Sequence, residues 1–256
     1  MIILRVLMSH FALENIARIK PIIESISEIT DECLLTMNDK GIYIEGTDPS
    51  LISKIEFFMP KKMFNDYHME NEETIGLNID SISRICRRTN PDEIVVIDFS
   101  SKGGKIELTL ESDIKRNFEF NLISTSNFNI PSLNPKYSTF IEIDSRIFKE
   151  IIKDMALIGG TILLSVHKND ISILCEDYTS KALAELSSTS KAIRKFESKS
   201  IQRSKYNVNY VLSFLNAFSV SDFLKVSVGG TKLPLKLEYP IAEDGRFTMY
   251  LAPMEI

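Results

Sequence analysis

Few residues in this 256-residue chain are spaced for making or breaking bonds. The three histidines, His10, His68 and His167, lie in unrelated contexts, and the acidic residues form no metal-ligand or acid–base set. There is no H-E-x-x-H, no G-x-S-x-G, no Walker loop and no Rossmann glycine pattern. Gly229-Gly230-Thr231-Lys232 has the composition of a phosphate loop, but it falls between two strand-like runs and lacks the following helix that would hold an anion, so it reads as a hairpin turn. Cys33, Cys86 and Cys175 are odd in number and widely spaced, and each sits in an apolar run. They read as small buried hydrophobes in a reducing intracellular compartment. No catalytic residue, metal or cofactor is expected.

The chemistry that remains is electrostatic. Four segments have helical periodicity. Residues 16–28 set Arg18 and Lys20 against Glu24 and Glu28, for no net charge. Residues 79–88 hold Arg84, Arg87 and Arg88 against Asp80, a net +2. Residues 145–157 hold Arg146, Lys149 and Lys153 against Glu150 and Asp154, a net +1, and 207–218 carry no charge. The chain totals −5, so with +3 on the helices the rest carries −8. Most of these cations lie off the apolar stripe. If the helices share one surface, that surface is basic on an acidic body, which suits weak attraction to a polyanion.

The elements that position these charges repeat. A shift of 129 residues puts Phe11 on Phe140, Lys20 on Lys149, Ile22 and Ile23 on Ile151 and Ile152, and Ile26 on Met155. It also puts Ile42 and Ile44 on Ile171 and Ile173, and Asn78 on Asn207. The order is the same in both halves. A strand (Ser9–Leu13; Phe140–Ile143) leads to a cap (Asn15; Asp144) and a helix with apolar residues at i, i+3, i+4 and i+7. A hairpin follows, Glu32–Met37 with Ile42–Glu45, matched by Thr161–Val166 with Ile171–Cys175. Leu51–Met59 is read as a strand, and a second helix is centred on Ile79, Ile82, Ile85 and Cys86, matched by Val208, Val211, Leu212, Leu215 and Phe218. Two further strands close each half: Glu93–Phe99 and Lys105–Leu110, then Phe223–Val228 and Leu233–Ile241.

Two α+β domains are therefore expected, residues 1–121 and 137–256, joined by a linker over 122–136 that is rich in Ser, Asn and Pro. The linker carries Phe128, Ile130 and Leu133, so it must pack on something. The apolar start MIILRVLM is too short to span a membrane and lacks a cleavage site; it reads as a frayed extension or part of the first strand. The segment Ser187–Lys205, with Lys191, Arg194, Lys195, Lys199, Arg203 and Lys205, reads as a solvated loop.

The C-terminal run Leu233-Pro234-Leu235-Lys236-Leu237-Glu238-Tyr239-Pro240-Ile241-Ala242, then Gly245 and Tyr250-Leu251-Ala252-Pro253, closely resembles the end of the proliferating cell nuclear antigen family, the sliding clamps of archaea and eukaryotes. Asp39-Lys40-Gly41-Ile42 with Thr47-Asp48-Pro49-Ser50, Leu77–Ile85, Phe148–Asp154 and Phe128-Asn129-Ile130-Pro131 resemble it too. The resemblance runs from about Met8 to the end and implies the DNA clamp fold: two duplicated domains, each with two helices packed on antiparallel sheet, and three subunits closing into a pseudo-sixfold ring.

It implies DNA contacts at Lys20, Arg84, Arg87 and Lys153, to which helical placement adds Arg88, Arg146 and Lys149. Ser213 and Val220 stand where the family often has basic residues. A partner peptide with an aromatic plug would dock beneath the linker, at Thr47, Leu51, Ile52, Phe128, Ile130, Pro131, Pro234, Tyr250, Leu251, Ala252 and Pro253. Asp113–Asn121 of one subunit would pair with Glu176–Leu183 of the next, through Lys115, Phe118, Phe120, Glu176, Tyr178 and Lys181. The implied partners are duplex DNA without sequence preference, two further clamp subunits (the same or different), and polymerase, clamp loader, flap endonuclease and DNA ligase bound through short peptides; no membrane is implied. The implied location is cytoplasmic, at the nucleoid, in an archaeon and nuclear in a eukaryote. Two other readings are a checkpoint-type clamp subunit and, from another class, a nucleic-acid-modifying enzyme on a duplicated α+β scaffold. The missing catalytic constellation speaks against the second.

Overall fold

The computed structural model describes residues 9–14, 16–69, 71–100 and 104–255. The start Met1–Met8 and the cap expected at Asn15 lie outside the described residues. The first half runs β1 (Ser9–Leu13), α1 (Lys20–Ser27), β2 (Glu32–Asn38), β3 (Gly41–Thr47), β4 (Ser53–Pro60), β5 (Asp66–His68), β6 (Glu73–Asn78), α2 (Ile79–Arg87), β7 (Ile94–Ser100), β8 (Lys105–Glu111) and β9 (Arg116–Asn121). The second runs β10 (Thr139–Asp144), α3 (Ser145–Ala156), β11 (Thr161–Val166), β12 (Asp170–Glu176), β13 (Lys181–Ser187), β14 (Ile193–Ser198), β15 (Gln202–Asn207), α4 (Val208–Leu215), β16 (Phe223–Val228), β17 (Leu235–Pro240) and β18 (Arg246–Leu251).

Local chemistry accounts for these boundaries. Alternation buries Cys33, Leu35 and Met37 on β2, and Ile171, Ile173 and Cys175 on β12. Gly41 turns the β2–β3 hairpin at φ +146°, where a Cβ would meet the Met59 carbonyl oxygen at 2.2 Å. Asn78, Asp144 and Asn207 cap α2, α3 and α4 by accepting the backbone N–H of Ser81 (2.8 Å), Ile147 (2.9 Å) and Asn209 (2.9 Å). No helix among the described residues is long and apolar enough to cross a membrane.

Several boundaries differ from the sequence reading. The first α-helix starts at Lys20 after a 3-10 turn over Ile16–Arg18, because Pro21 fits only the first helical turn. The strand expected from Leu51 starts at Ser53; Leu51 has φ 57° and sits in a turn. Helix α3 ends at Ala156, one residue short of the expected 157 and before Gly159-Gly160, and α4 stops at Leu215, leaving Phe218 in a separate 3-10 turn. Strand β17 starts at Leu235, two residues after the expected Leu233, and ends at Pro240. The basic segment read as a solvated loop forms two strands, β14 and β15. On β15, Arg203 and Lys205 alternate with the buried Ser204 and Tyr206, so the segment's polarity hid a half-buried strand pattern.

The sheets are antiparallel and reveal the duplication directly. The first half forms a five-stranded sheet, β5-β1-β7-β8-β9, and the second a four-stranded sheet, β13-β12-β11-β15. The third has nine strands, β14-β10-β16-β17-β18-β4-β3-β2-β6. Its first five strands are the second half's copy of the five-stranded sheet, and its last four are the first half's copy of the four-stranded one. The join is β18 on β4, with Met249 opposite Ile55 and Tyr250 opposite Lys54. Behind it, Phe214 stacks on Tyr239 and Phe247 (5.1 and 4.6 Å between centroids) and Phe57 meets Phe247 edge-on. Such pairs contribute about 0.5–1.5 kcal/mol each beyond area burial.

Register corrects one match of the repeat. Phe11 is buried, while Phe140 is 41% exposed. The spatial counterpart of Phe11 is Ile141, since Phe11 opposes Ile97 and Ile141 opposes Val226 in equivalent ladders. A one-residue slip turns a side chain to the other face of a sheet, so sequence similarity of two phenylalanines cannot override it.

Candidate functional site

The four helices pack side by side in the order α2-α1-α4-α3. The junction between halves is polar: Ser25 donates to the Ser213 carbonyl (2.7 Å) and the Asn216 amide to Glu28 (2.9 Å). Six of the seven predicted cations, Arg84, Arg87, Arg88, Arg146, Lys149 and Lys153, sit on the two outer helices of the row or at their ends, and Lys20 opens α1. They are not equivalent. Arg84 is tied to Asp80 and Lys153 to Glu150 (2.8 Å) within their own helices. Lys149 lies 4.3 Å from the Phe218 ring centroid, and burial, then the nearby Lys153, lowers its pKa. The Lys20 Nζ donates to the Arg87 carbonyl (2.8 Å) and so caps α2. Arg87, Arg88 and Arg146 are exposed and have no acidic partner within 4 Å among the described residues.

The predicted pocket residues divide. The linker is held at three points. Near its start Ile123 donates to the Gly76 carbonyl (2.8 Å), and Phe128 covers Gly76 so closely that a Cβ there would lie 2.7 Å from its ring. Midway, Lys54 Nζ donates to the Pro131 carbonyl (3.0 Å) while pairing with Glu56 (2.7 Å) and Glu45 (3.0 Å). At the end, the Tyr137 hydroxyl donates to the Pro234 carbonyl (2.8 Å). Burial opposes the Lys54 charge, but hydrogen bonds to Glu56 and Glu45 outweigh it and raise its pKa. Leu51 and Ile52 are exposed beside the C-terminal strand's end, where the Ala252 N–H reaches the Ile52 carbonyl (2.8 Å). Thr47, Ile130, Pro234, Ala252 and Pro253 are half-buried and Pro131 is exposed. Tyr250 lies on the linker's face of the sheet, opposite Lys54. Leu251 does not: alternation turns it into the core at 1% exposure, so it cannot line a surface pocket.

Three residues here escaped the sequence reading. Lys54 had a signal, since Lys54 and Glu56 share one face of a strand at i and i+2. Asp48 and Tyr210 meet across the two halves; Asp48 lay in the family-like run Thr47-Asp48-Pro49-Ser50, but nothing in the sequence pointed to Tyr210.

Among the described residues, β9 and β13 are each the last strand of their sheet, with one edge unpaired. On β9, Phe118 and Phe120 face their own core. The stretch Glu176–Leu183 is not one strand: Glu176 ends β12, Asp177–Ser180 is a turn closed by the Asp177 N–H on the Ser180 carbonyl (2.9 Å), and Lys181 starts β13. Tyr178 stands fully exposed on that turn.

Models of the proliferating cell nuclear antigen N-terminal and C-terminal domains match residues 8–128 and 129–254. The chain belongs to the proliferating cell nuclear antigen family. The DNA polymerase sliding clamp of Thermococcus fumicolans is 25% identical over 234 residues, covering 91% of this chain and 92% of the relative. DNA polymerase sliding clamp 1 of Thermococcus kodakarensis is 26% identical over the same shares. Among solved structures, proliferating cell nuclear antigen from Thermococcus kodakaraensis has TM-score 0.88 at 19% identity, covering 96% of this chain and 100% of that one. A chain of the PCNA2–PCNA3 complex of Sulfolobus tokodaii has TM-score 0.86 at 22% identity, covering 95% and 98%. These likenesses place the chain in the clamp fold.

Proposed function

We propose that this chain is a subunit of a DNA polymerase sliding clamp, an archaeal-type ring that encircles duplex DNA in the cytoplasm and tethers replication proteins without doing chemistry itself. The β18–β4 join carries this reading. Within the chain, the last strand of a five-stranded sheet pairs with the edge strand of a four-stranded one. Strands β9 and β13 are the other copies of those two edges. Each subunit thus makes one such joint internally and keeps the two halves of a second.

The internal joint supplies the register of the external one. Stepping across equivalent ladders, Phe118 stands where the second half has Met249, and Ala184 stands where the first half has Phe57. Copying the β18–β4 pairing then sets Phe118 opposite Ala182, Glu119 opposite Lys181 and Lys115 opposite Glu185 of the neighbouring subunit. Two opposite-charge cross-strand pairs support that alignment. Closure also pairs both of those edges. Three subunits give six near-equivalent joints and bring the helix rows together around a hole. A ring needs only weak, sequence-blind attraction to phosphates to stay on DNA and slide.

The test is a charge exchange read by light scattering and by retention on circular DNA. The wild-type chain should form trimers held on circular but not linear duplex. Glu119→Lys should weaken assembly, and Lys181→Glu in the same chain should restore it. A chain that stays monomeric alone but assembles with two related chains makes the ring a heterotrimer. Monomer under every condition, with no retention, sinks the reading.

A further inference from the structure

We infer that the edge of the partner pocket is a basic shelf, built by Lys199, Arg203 and Lys205 with Lys232, that selects partner peptides carrying an acidic flank. The inference rests on the pocket reading above and adds the chemistry of what binds beside it.

The chain is acidic overall, yet Ser198–Lys205 holds three cations and no acid. The fold places this segment beside the pocket by two separate contacts. Met254, just past Ala252 and Pro253, donates its N–H to the Lys205 carbonyl (2.8 Å). Gly230 opens the 3-10 turn that ends at Lys232, and it packs on Gln202 so closely that a Cβ would lie 2.7 Å from that amide oxygen. Pro234, the acceptor for Tyr137, follows directly. The shelf therefore runs along β15 from the Pro234 side of the pocket to the C-terminal strand's end.

Its charges are available. Lys199, Arg203 and Lys232 are exposed and Lys205 is half-buried. None has an acidic group within 4 Å among the described residues, whereas the neighbouring Lys195, Lys225 and Lys236 are all paired, with Glu197 or Glu238. Surface cations that serve only solubility are commonly interspersed with acids, as those neighbours are. Ile201 (68% exposed) and Met254 (43%) give the shelf apolar contact points as well. The footprint fits an extended peptide whose anchor sits under the linker and whose flank presents carboxylates.

The experiment uses the full chain and three labelled peptides sharing one aromatic-anchored core: unflanked, with three glutamates, and with three lysines, the additions tried at each end. Fluorescence anisotropy at low salt should show the glutamate peptide binding about tenfold tighter than the lysine peptide for one of the two ends. The preference should fade as salt is raised. It should vanish in the Lys199→Glu, Arg203→Glu, Lys205→Glu variant, while the unflanked peptide, which also reports correct folding, binds that variant as it binds wild type. If the unflanked peptide binds but flank charge makes no difference, or the preference survives charge reversal, the shelf is overturned and the pocket stands. If no peptide binds, both fall. If reversal instead costs the affinity for a short duplex and leaves the peptides unchanged, the patch faces nucleic acid and the proposal is wrong.

Discussion

The Tyr210 hydroxyl donates to the Asp48 carboxylate at 3.0 Å, joining α4 of the second half to the turn that presents Leu51 and Ile52 in the first, across 162 residues of sequence. Asp48 is 2% exposed and also accepts the N–H groups of Ser50 (2.9 Å) and Ser53 (2.6 Å). One carboxylate thus shapes the Leu51–Ile52 turn and ties the two halves together. Asp48→Ala should cost about 3 kcal/mol, since it strands buried donors, and Tyr210→Phe about 1 kcal/mol. Urea denaturation of both single variants and the double should show non-additive losses. Additive losses would mean the two groups do not act on each other.

Lys54 should govern the linker. Lys54→Met removes the donor to Pro131 and leaves Glu45 and Glu56 without their shared cation. Hydrogen exchange of linker amides near Pro131 should then accelerate several-fold, while the amides of β17 and β18 stay protected. The raised Lys54 pKa adds a pH dependence of definite sign. Its stabilising contribution is complete below the ordinary lysine value of 10.5 and is lost as pH rises through the folded-state value. Unchanged exchange in the variant would show that the linker is held elsewhere.

The helical cations should rank by their partners. Arg87→Ala with Arg88→Ala should lower the slope of log affinity against log salt for duplex DNA by about 2, one for each released phosphate contact. Arg84→Ala should do less, because the helix already neutralises Arg84 with Asp80. Equal slopes for wild type and the Arg87/Arg88 variant would remove both residues from the DNA surface.

Glu93 ties the approach to β9 together. It is 3% exposed, accepts the Asn90 N–H (2.8 Å) and pairs with Arg116 of β9. The Asn90 hydrogen bond, ahead of the arginine, holds its carboxyl below the ordinary 4.5. A depressed carboxyl contributes stability that is complete above 4.5 and lost as pH falls through the lowered value. Glu93→Gln should cost about 1–3 kcal/mol at pH 7 and progressively less as pH falls below 4.5 and through the lowered value, measured by thermal unfolding. A cost independent of pH would assign the effect to packing instead.

Much of this architecture was legible in one dimension. Helical and alternating periodicities are local, so α2, α3, the two hairpins and the cap at Asp144 could be read directly, whereas the caps at Asn78 and Asn207 emerged only in the structure. The halved repeat was legible for the same reason. The basic segment misled because a strand with one face in water has half its pattern written in polar residues. Leu251 misled because similarity to a pocket-forming run does not say which of two adjacent strand residues points outward.

The sequence by itself determined the duplication, the types of most elements and the excess of positive charge on the helices, because each is a property of neighbours along the chain. Only the tertiary structure decided the register between copies, with Phe11 matched to Ile141 rather than Phe140. It also decided which cations lack an acidic partner among the described residues and that β9 and β13 end their sheets while their counterparts β18 and β4 pair. Those facts depend on contacts between residues far apart in sequence, such as Met249 with Ile55, Tyr210 with Asp48 and Lys54 with Pro131. Pairing of that kind is fixed by packing and hydrogen-bond geometry in three dimensions, and no local pattern encodes it.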